Sequence, residues 1–132
     1  MTAPGDIDQP VYTELAGLRY QVPGVLGCVV AGVDGLLILH DTSTGTEPHD
    51  VAALAAGAHG ISRTTGAVLG QGTFADVTIH NSNGYLAVYA IGDLALLAVI
   101  GEGNLNIARL HLEARPVTAR LANILQIRSA RL

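Results

Sequence analysis

The sequence predicts an α+β fold in which helix, strand, strand, helix, strand, strand, strand and helix succeed one another and fill almost the whole chain. Three observations carry this. The segment VLGCVVAGVDGLLILH (residues 25–40) is two apolar runs joined at Asp34–Gly35, a hairpin signal. The segment TFADVTIHNSNGYLAVYAIGDLALLAVI (residues 73–100) is three runs joined at Asn83–Gly84 and Gly92–Asp93, a meander. Around these segments apolar residues recur at three- and four-residue steps, the period of helices packed against a sheet. A layout of this size in 132 residues leaves room for one domain, with a core over about residues 11–127 behind a short polar N-terminal tail.

The opening helix is expected over about residues 8–20, with Val11, Leu15 and Leu18 on one face, and Pro23–Gly24 ends it. Residues 25–33 form a continuous apolar run, as in a strand covered on both sides. Asp34–Gly35 suits a two-residue turn in which both central residues take positive φ. Residues 36–40 then pair back, and the polar stretch 41–45 reads as a loop.

The second helix begins with Thr46 as N-cap and Pro48 in the first turn, while Glu47 and Asp50 favour the positive end of its dipole. Val51, Leu54, Ala55, Ala58, Ile61 and Val68 are expected to pack on the sheet. A different strip carries Ala53, Ala56, Gly57, Gly60 and Thr64. Each glycine there costs about 1 kcal/mol of helix propensity relative to alanine, so the strip reads as a place where another backbone comes close. Ordinary Ala/Gly usage on an exposed helix would give the same strip.

In the first meander strand Ala75, Val77 and Ile79 alternate with Phe74, Asp76, Thr78 and His80, a half-buried pattern. If this strand lies at the sheet edge, its free backbone groups can pair with a second copy, and Asp76 either opposes that pairing or is accommodated by the register. Residues 94–100, LALLAVI, are apolar throughout and should form a central strand. The last helix is expected from about Asn104 to Ile127, with Ile107, Leu110, Ala114, Val117, Leu121 and Ile124 as its buried stripe. Pro116 lies within it and predicts a kink or a break. Arg109, Arg120 and Arg131 recur at eleven-residue steps, either as a basic stripe or as a solvated face with Arg109 paired to Glu113.

Composition narrows the function. Apolar residues make up 49% of the chain and charged residues only 14%, which excludes disorder. No apolar run approaches the roughly 20 residues of a membrane helix, and the start MTAPGDIDQP is acidic, unlike a signal peptide. The single Cys28 suits a reducing cytoplasmic setting and reads as a small buried hydrophobe. A net charge of −4 argues against phosphate-driven nucleic-acid binding, and the absence of lysine removes a P-loop. Gly101-Glu102-Gly103 begins a GxG, but Asn106 stands where a dinucleotide fingerprint needs its third glycine. No nucleophile elbow, zinc motif or Cys/His cluster is present, so no catalytic residue, metal site or cofactor is expected.

The segments VPGVLGCVVAGVDGLLILHD, VAALAAGAHGISRTTGAVLG and LALLAVIGEGNLNIARLHLEA together resemble the roadblock/dynein light chain family. The most diagnostic part is Pro23-Gly24-Val25 opening the first strand, followed by the Asp34-Gly35-Leu36-Leu37 hairpin. The Ala/Gly and Arg-for-Lys bias is similar to that of bacterial, particularly actinobacterial, members. The resemblance implies a five-stranded antiparallel sheet flanked by helices. It also implies a cytoplasmic homodimer built by joining sheet edges and packing second helices, with Ala53, Ala56, Gly57, Gly60, Thr64, Phe74, Asp76, Thr78 and His80 at the interface. The implied partner is a small Ras-like GTPase, regulated or bound without catalysis by this chain. Arg63, on the second helix, is the basic residue best placed to meet it. A structural adaptor without nucleotide preference, and a small-ligand sensor with a deep pocket, are the alternatives.

Overall fold

The computed structural model describes residues 7–43 and 45–130. Its elements are α1 (Asp8–Gln21), β1 (Val25–Gly32), β2 (Leu37–Thr42), α2 (Pro48–Val68), β3 (Asp76–Asn81), β4 (Gly84–Ile91), β5 (Ala95–Glu102) and α3 (Ile107–Ala130). The strands form one antiparallel sheet in the order β2-β1-β5-β4-β3. The expected α+β architecture is therefore the observed one, with β5 at the centre. Residues 1–6 of the N-terminal tail and Arg131 of the arginine series lie outside the described residues.

The apolar runs of β1 and β5 need cover on both faces, and each face has its own core. On one, Cys28, Val30, Leu97 and Val99 meet Val11, Leu15 and Leu18 of α1 and Leu110, Ala114 and Leu121 of α3. On the other, Val29, Ala31, Val88, Leu96 and Ala98 meet Ala52 and Ala55 of α2. Arg120 Nε lies 2.9 Å from both carboxylate oxygens of Glu14, tying α3 to α1, and Arg19 reaches Asp41 of β2 at 3.1 Å. Arg109 sits 3.9 Å from Glu113 and also donates to the Gln21 carbonyl at 3.1 Å. The exposed Arg120–Glu14 and Arg109–Glu113 pairs contribute at most about 1 kcal/mol each, and only Arg19–Asp41 is partly buried, so apolar burial dominates.

Several local expectations are corrected. Only Gly35 of the first hairpin has positive φ, at +88°. Gly35 N–H bonds the Gly32 carbonyl and Gly32 N–H bonds the Leu36 carbonyl, so the loop has three residues and Asp34 needs no strained backbone. Asp34 Oδ1 instead accepts the Leu36 N–H at 3.1 Å. Asp41 and Thr42, read as loop, continue β2. The second hairpin turns on Ser82–Asn83, because Gly84 already pairs with Asn81. The cap of α2 is Glu47, not Thr46: its Oε1 accepts the His49 N–H at 3.0 Å. Asn106, not Asn104, caps α3 by accepting the Arg109 N–H at 3.0 Å. Helix α3 also continues through Pro116 without a break. The bond the proline cannot make is to Leu112, which lies on the exposed face where water can solvate its carbonyl.

Ala55 is fully buried between α2 and the sheet. Ala55→Leu should overfill that layer and cost about 1–3 kcal/mol, read as a lower midpoint in urea unfolding.

Candidate functional site

The largest departure from expectation is the orientation of α2. Leu54, Ile61 and Val68, expected to face the sheet, have exposed fractions of 61%, 74% and 76%. The other expected members, Val51, Ala55 and Ala58, do face the sheet, and Ala52 joins them, with Ala52 and Ala55 fully buried. The sheet beneath already supplies Val29, Val88 and Leu96, so alanines suffice to close the layer. The three exposed aliphatics recur every seven residues and line one side of the helix. That spacing was visible in the sequence, but a large aliphatic residue is by default assigned to its own core.

The strip singled out from the sequence divides. Gly57 and Gly60 are exposed, and a Cβ on either would meet nothing within 4 Å. Thr64 and Ala53 are exposed as well. Ala56 is half-buried, because the Gly35 turn of the same chain comes close: a Cβ on Gly35 would lie 3.5 Å from Ala56 Cβ and 3.8 Å from Ala53 Cα. Ala56 thus packs in part within its own chain.

The two sheet edges differ. Along β2 the pairing to β1 shifts register between Val30 and Ala31, leaving Ile38 out of the ladder. Such a bulge twists an edge away from further pairing. Along β3 the pairing from Asp76 to Asn81 is unbroken. Ala90 N–H bonds the Ala75 carbonyl at 3.0 Å, which fixes the alternation. Val77, Ile79 and Asn81 direct their backbone groups to β4, and Asp76, Thr78 and His80 direct theirs to the open edge.

The side chains of Asp76, Thr78 and His80 share the face covered by α1 and α3, opposite Tyr89, Ala87 and Tyr85. His80 stacks on Tyr85 at 4.2 Å with planes 5° apart. Phe74 does not join them. It precedes the strand and tucks under α2, edge-on to His59 at 4.9 Å. Gly66 allows this crossing, since a Cβ there would lie 2.8 Å from the Gly72 carbonyl.

Behind the edge, Tyr89 Oη lies 2.6 Å from His111 Nδ1 of α3. Burial pushes the Tyr89 phenol above the ordinary tyrosine range. The Asp76 carboxylate adds to the rise and the Arg115 guanidinium partly offsets it. Burial likewise raises the Cys28 thiol to about 12. Arg63 is exposed at the rim of an open cleft of about 330 Å³, walled by Val33, His59, Phe74 and Leu96 and bordered by Asp93. The cleft opens at the surface and is not an internal pocket. Among the described residues no three metal-ligating side chains converge, and no helix is long and apolar enough to cross a membrane.

A family model described as Roadblock/LC7 domain matches residues 12–101. Among solved structures, a Roadblock/LC7 domain from Streptomyces avermitilis superimposes with a TM-score of 0.81 at 24% identity, over 86% of this chain and 96% of that one. Gliding protein MglB from Thermus thermophilus gives 0.81 at 16% identity, over 94% of each chain. MglB from Myxococcus xanthus gives 0.81 at 15% identity, over 89% of this chain and 95% of that one. No curated protein matches the chain.

The raised phenol and thiol make stability fall in alkali. Above about pH 9–10 the unfolded chain releases these protons while the fold still holds them, so stability declines as pH rises from there. Tyr89→Phe should lose about 1 kcal/mol at neutral pH, by leaving His111 unpaired, yet show a smaller further loss between about pH 9 and 11 in thermal melts.

Proposed function

The chain belongs to the Roadblock/LC7 domain family, and from that premise we propose that it is a homodimeric, non-catalytic regulator or adaptor of a small Ras-like GTPase. One observation carries the dimer: three large aliphatic side chains stand exposed every seven residues on α2, above a sheet whose β3 edge carries no bulge. Covering each such side chain contributes about 1.5–3 kcal/mol, and joining two edges satisfies the free backbone groups of β3. A second copy supplies both at once, because α2 and the side chains of Val77 and Ile79 lie on the same face. The interface on this reading comprises Ala53, Leu54, Gly57, Gly60, Ile61, Thr64 and Val68 with Asp76, Thr78 and His80. Ala56 and Phe74 contribute from within each subunit.

The partner class rests on the family, whose members bind or regulate small Ras-like GTPases. The chain's own residues support a role by contact. The α2–β3 surface holds no paired nucleophile and base. A GTPase hydrolyses its nucleotide by positioning and electrostatics, so a partner that favours the ordered switch conformation accelerates it without chemistry of its own. Arg63, exposed beside the α2 surface, is the residue best placed to touch the GTPase.

Two measurements test this. Gly57→Glu meets open space within the subunit, so the variant should fold, with a modest gain in helix propensity. Its carboxylate should weaken the dimer at least about a hundredfold, read by sedimentation equilibrium. An unchanged dimer would rule out the α2 surface. Binding to small GTPases of the same organism, loaded with GDP or a non-hydrolysable GTP analogue, should favour the GTP form. Arg63→Ala should weaken that binding about tenfold. Equal binding to both forms would leave a passive adaptor, since a partner that does not distinguish two states cannot shift them.

A further inference from the structure

We infer that two copies of this chain pair through β3 in one register, antiparallel about a two-fold axis at Thr78, so that Asp76 of each copy faces His80 of the other. The inference rests on the homodimer proposed above and specifies how its edges meet. An isologous contact between two identical strand edges is antiparallel, and its axis passes through one position of the strand. Only Asp76, Thr78 and His80 send backbone groups to the open edge, so hydrogen-bonded pairs between copies are drawn from these three.

Few registers satisfy that condition. With the axis at Val77, Asp76 pairs with Thr78 and His80 faces Phe74, which has left the strand to pack beneath α2. With the axis at Ile79, Thr78 pairs with His80 and Asp76 faces Ser82 in the hairpin turn. An axis at Asp76 or at His80 sets like groups against each other. The axis at Thr78 alone engages all three residues in both copies. It joins carboxylate to imidazole twice, with Thr78 facing its own counterpart.

The opposite face agrees. In the same register Val77 lies across from the partner's Ile79, on the α2 side of the sheet, where Ile79 is 38% exposed in the single chain. An acid on an edge strand ordinarily discourages pairing. Here a copy in this register supplies its complement, and the stack on Tyr85 holds the His80 ring over the sheet beside that edge.

Disulfide trapping in the full chain tests the register. Facing residues in non-hydrogen-bonded pairs have Cα atoms about 4.5 Å apart, within the span of a disulfide, whereas positions offset by two residues lie about 7–8 Å apart. Three variants are oxidised in parallel: Val77→Cys, Ile79→Cys and the double variant. The only native thiol, Cys28, is buried and stays protonated, so it does not compete. The double variant should form a covalent dimer at least about tenfold faster than either single variant. Fast trapping of Val77→Cys alone would place the axis at Val77, and of Ile79→Cys alone at Ile79; either overturns the proposal. The mass of the unmodified protein separates the two levels. A monomer defeats the dimer itself, while a dimer that none of the variants traps defeats only the β3 register. A charge exchange gives a second readout. Asp76→Arg and His80→Glu variants refolded together should form mixed dimers in excess of the statistical half, and a statistical mixture would overturn the pairing.

Discussion

Strands β1 and β5 are apolar on both faces, and most of the architecture follows from covering them twice. Val30, Leu97 and Val99 point to one side, Val29, Leu96 and Ala98 to the other. On the first side α1 and α3 supply leucines and valines. On the second a single helix must suffice, and it approaches with alanines, which bring its backbone close to the sheet. The bulk that α2 carries therefore has no place inside. Leu54, Ile61 and Val68 remain outside because the layer beneath them is already full, and this leaves a row of large apolar side chains exposed along α2.

An open sheet leaves two edges, and the chain treats them differently. A bulge opposite Val30/Ala31 distorts β2, whose Asp41 is also engaged by Arg19. No such device interrupts the β3 ladder. The open edge thus adjoins the face on which α2 lies, and one neighbour can meet both. On the other face the ion pair from Arg120 to Glu14 joins α3 to α1. One face is thus covered by two helices tied to each other, and the other by a single helix whose outer side and neighbouring strand edge stay exposed.

Much of this was legible in the residues. The period of Val11, Leu15 and Leu18 placed α1, and the uniform apolarity of LALLAVI placed β5 at the centre, because a strand without a polar face must be covered twice. The three hairpin junctions were found, although the turn types were not. Asp34-Gly35 matches a two-residue turn and a three-residue one equally well, and only the Gly32–Leu36 bond decides between them. Capping failed for a similar reason. Thr46 and Glu47 can each cap α2, and the direction in which the chain arrives from β2 selects Glu47.

The surface was read less well than the fold. The stripe expected of α2 joins two sides of the helix: Val51, Ala55 and Ala58 pack toward the sheet, while Leu54, Ile61 and Val68 stand outside, because spacing alone does not fix where the boundary of the buried arc falls. Sequence by itself determined the element order, the central strand and the presence of a glycine-bearing strip on α2, because these depend on local spacing and turn chemistry. Tertiary structure alone decided which side of α2 meets the sheet, that Ala56 belongs to the Gly35 turn, and that β3 rather than β2 offers an undistorted edge. Those outcomes depend on the volume already filled by neighbouring strands and on the order of strands in the sheet, and both arise only when distant segments pack together.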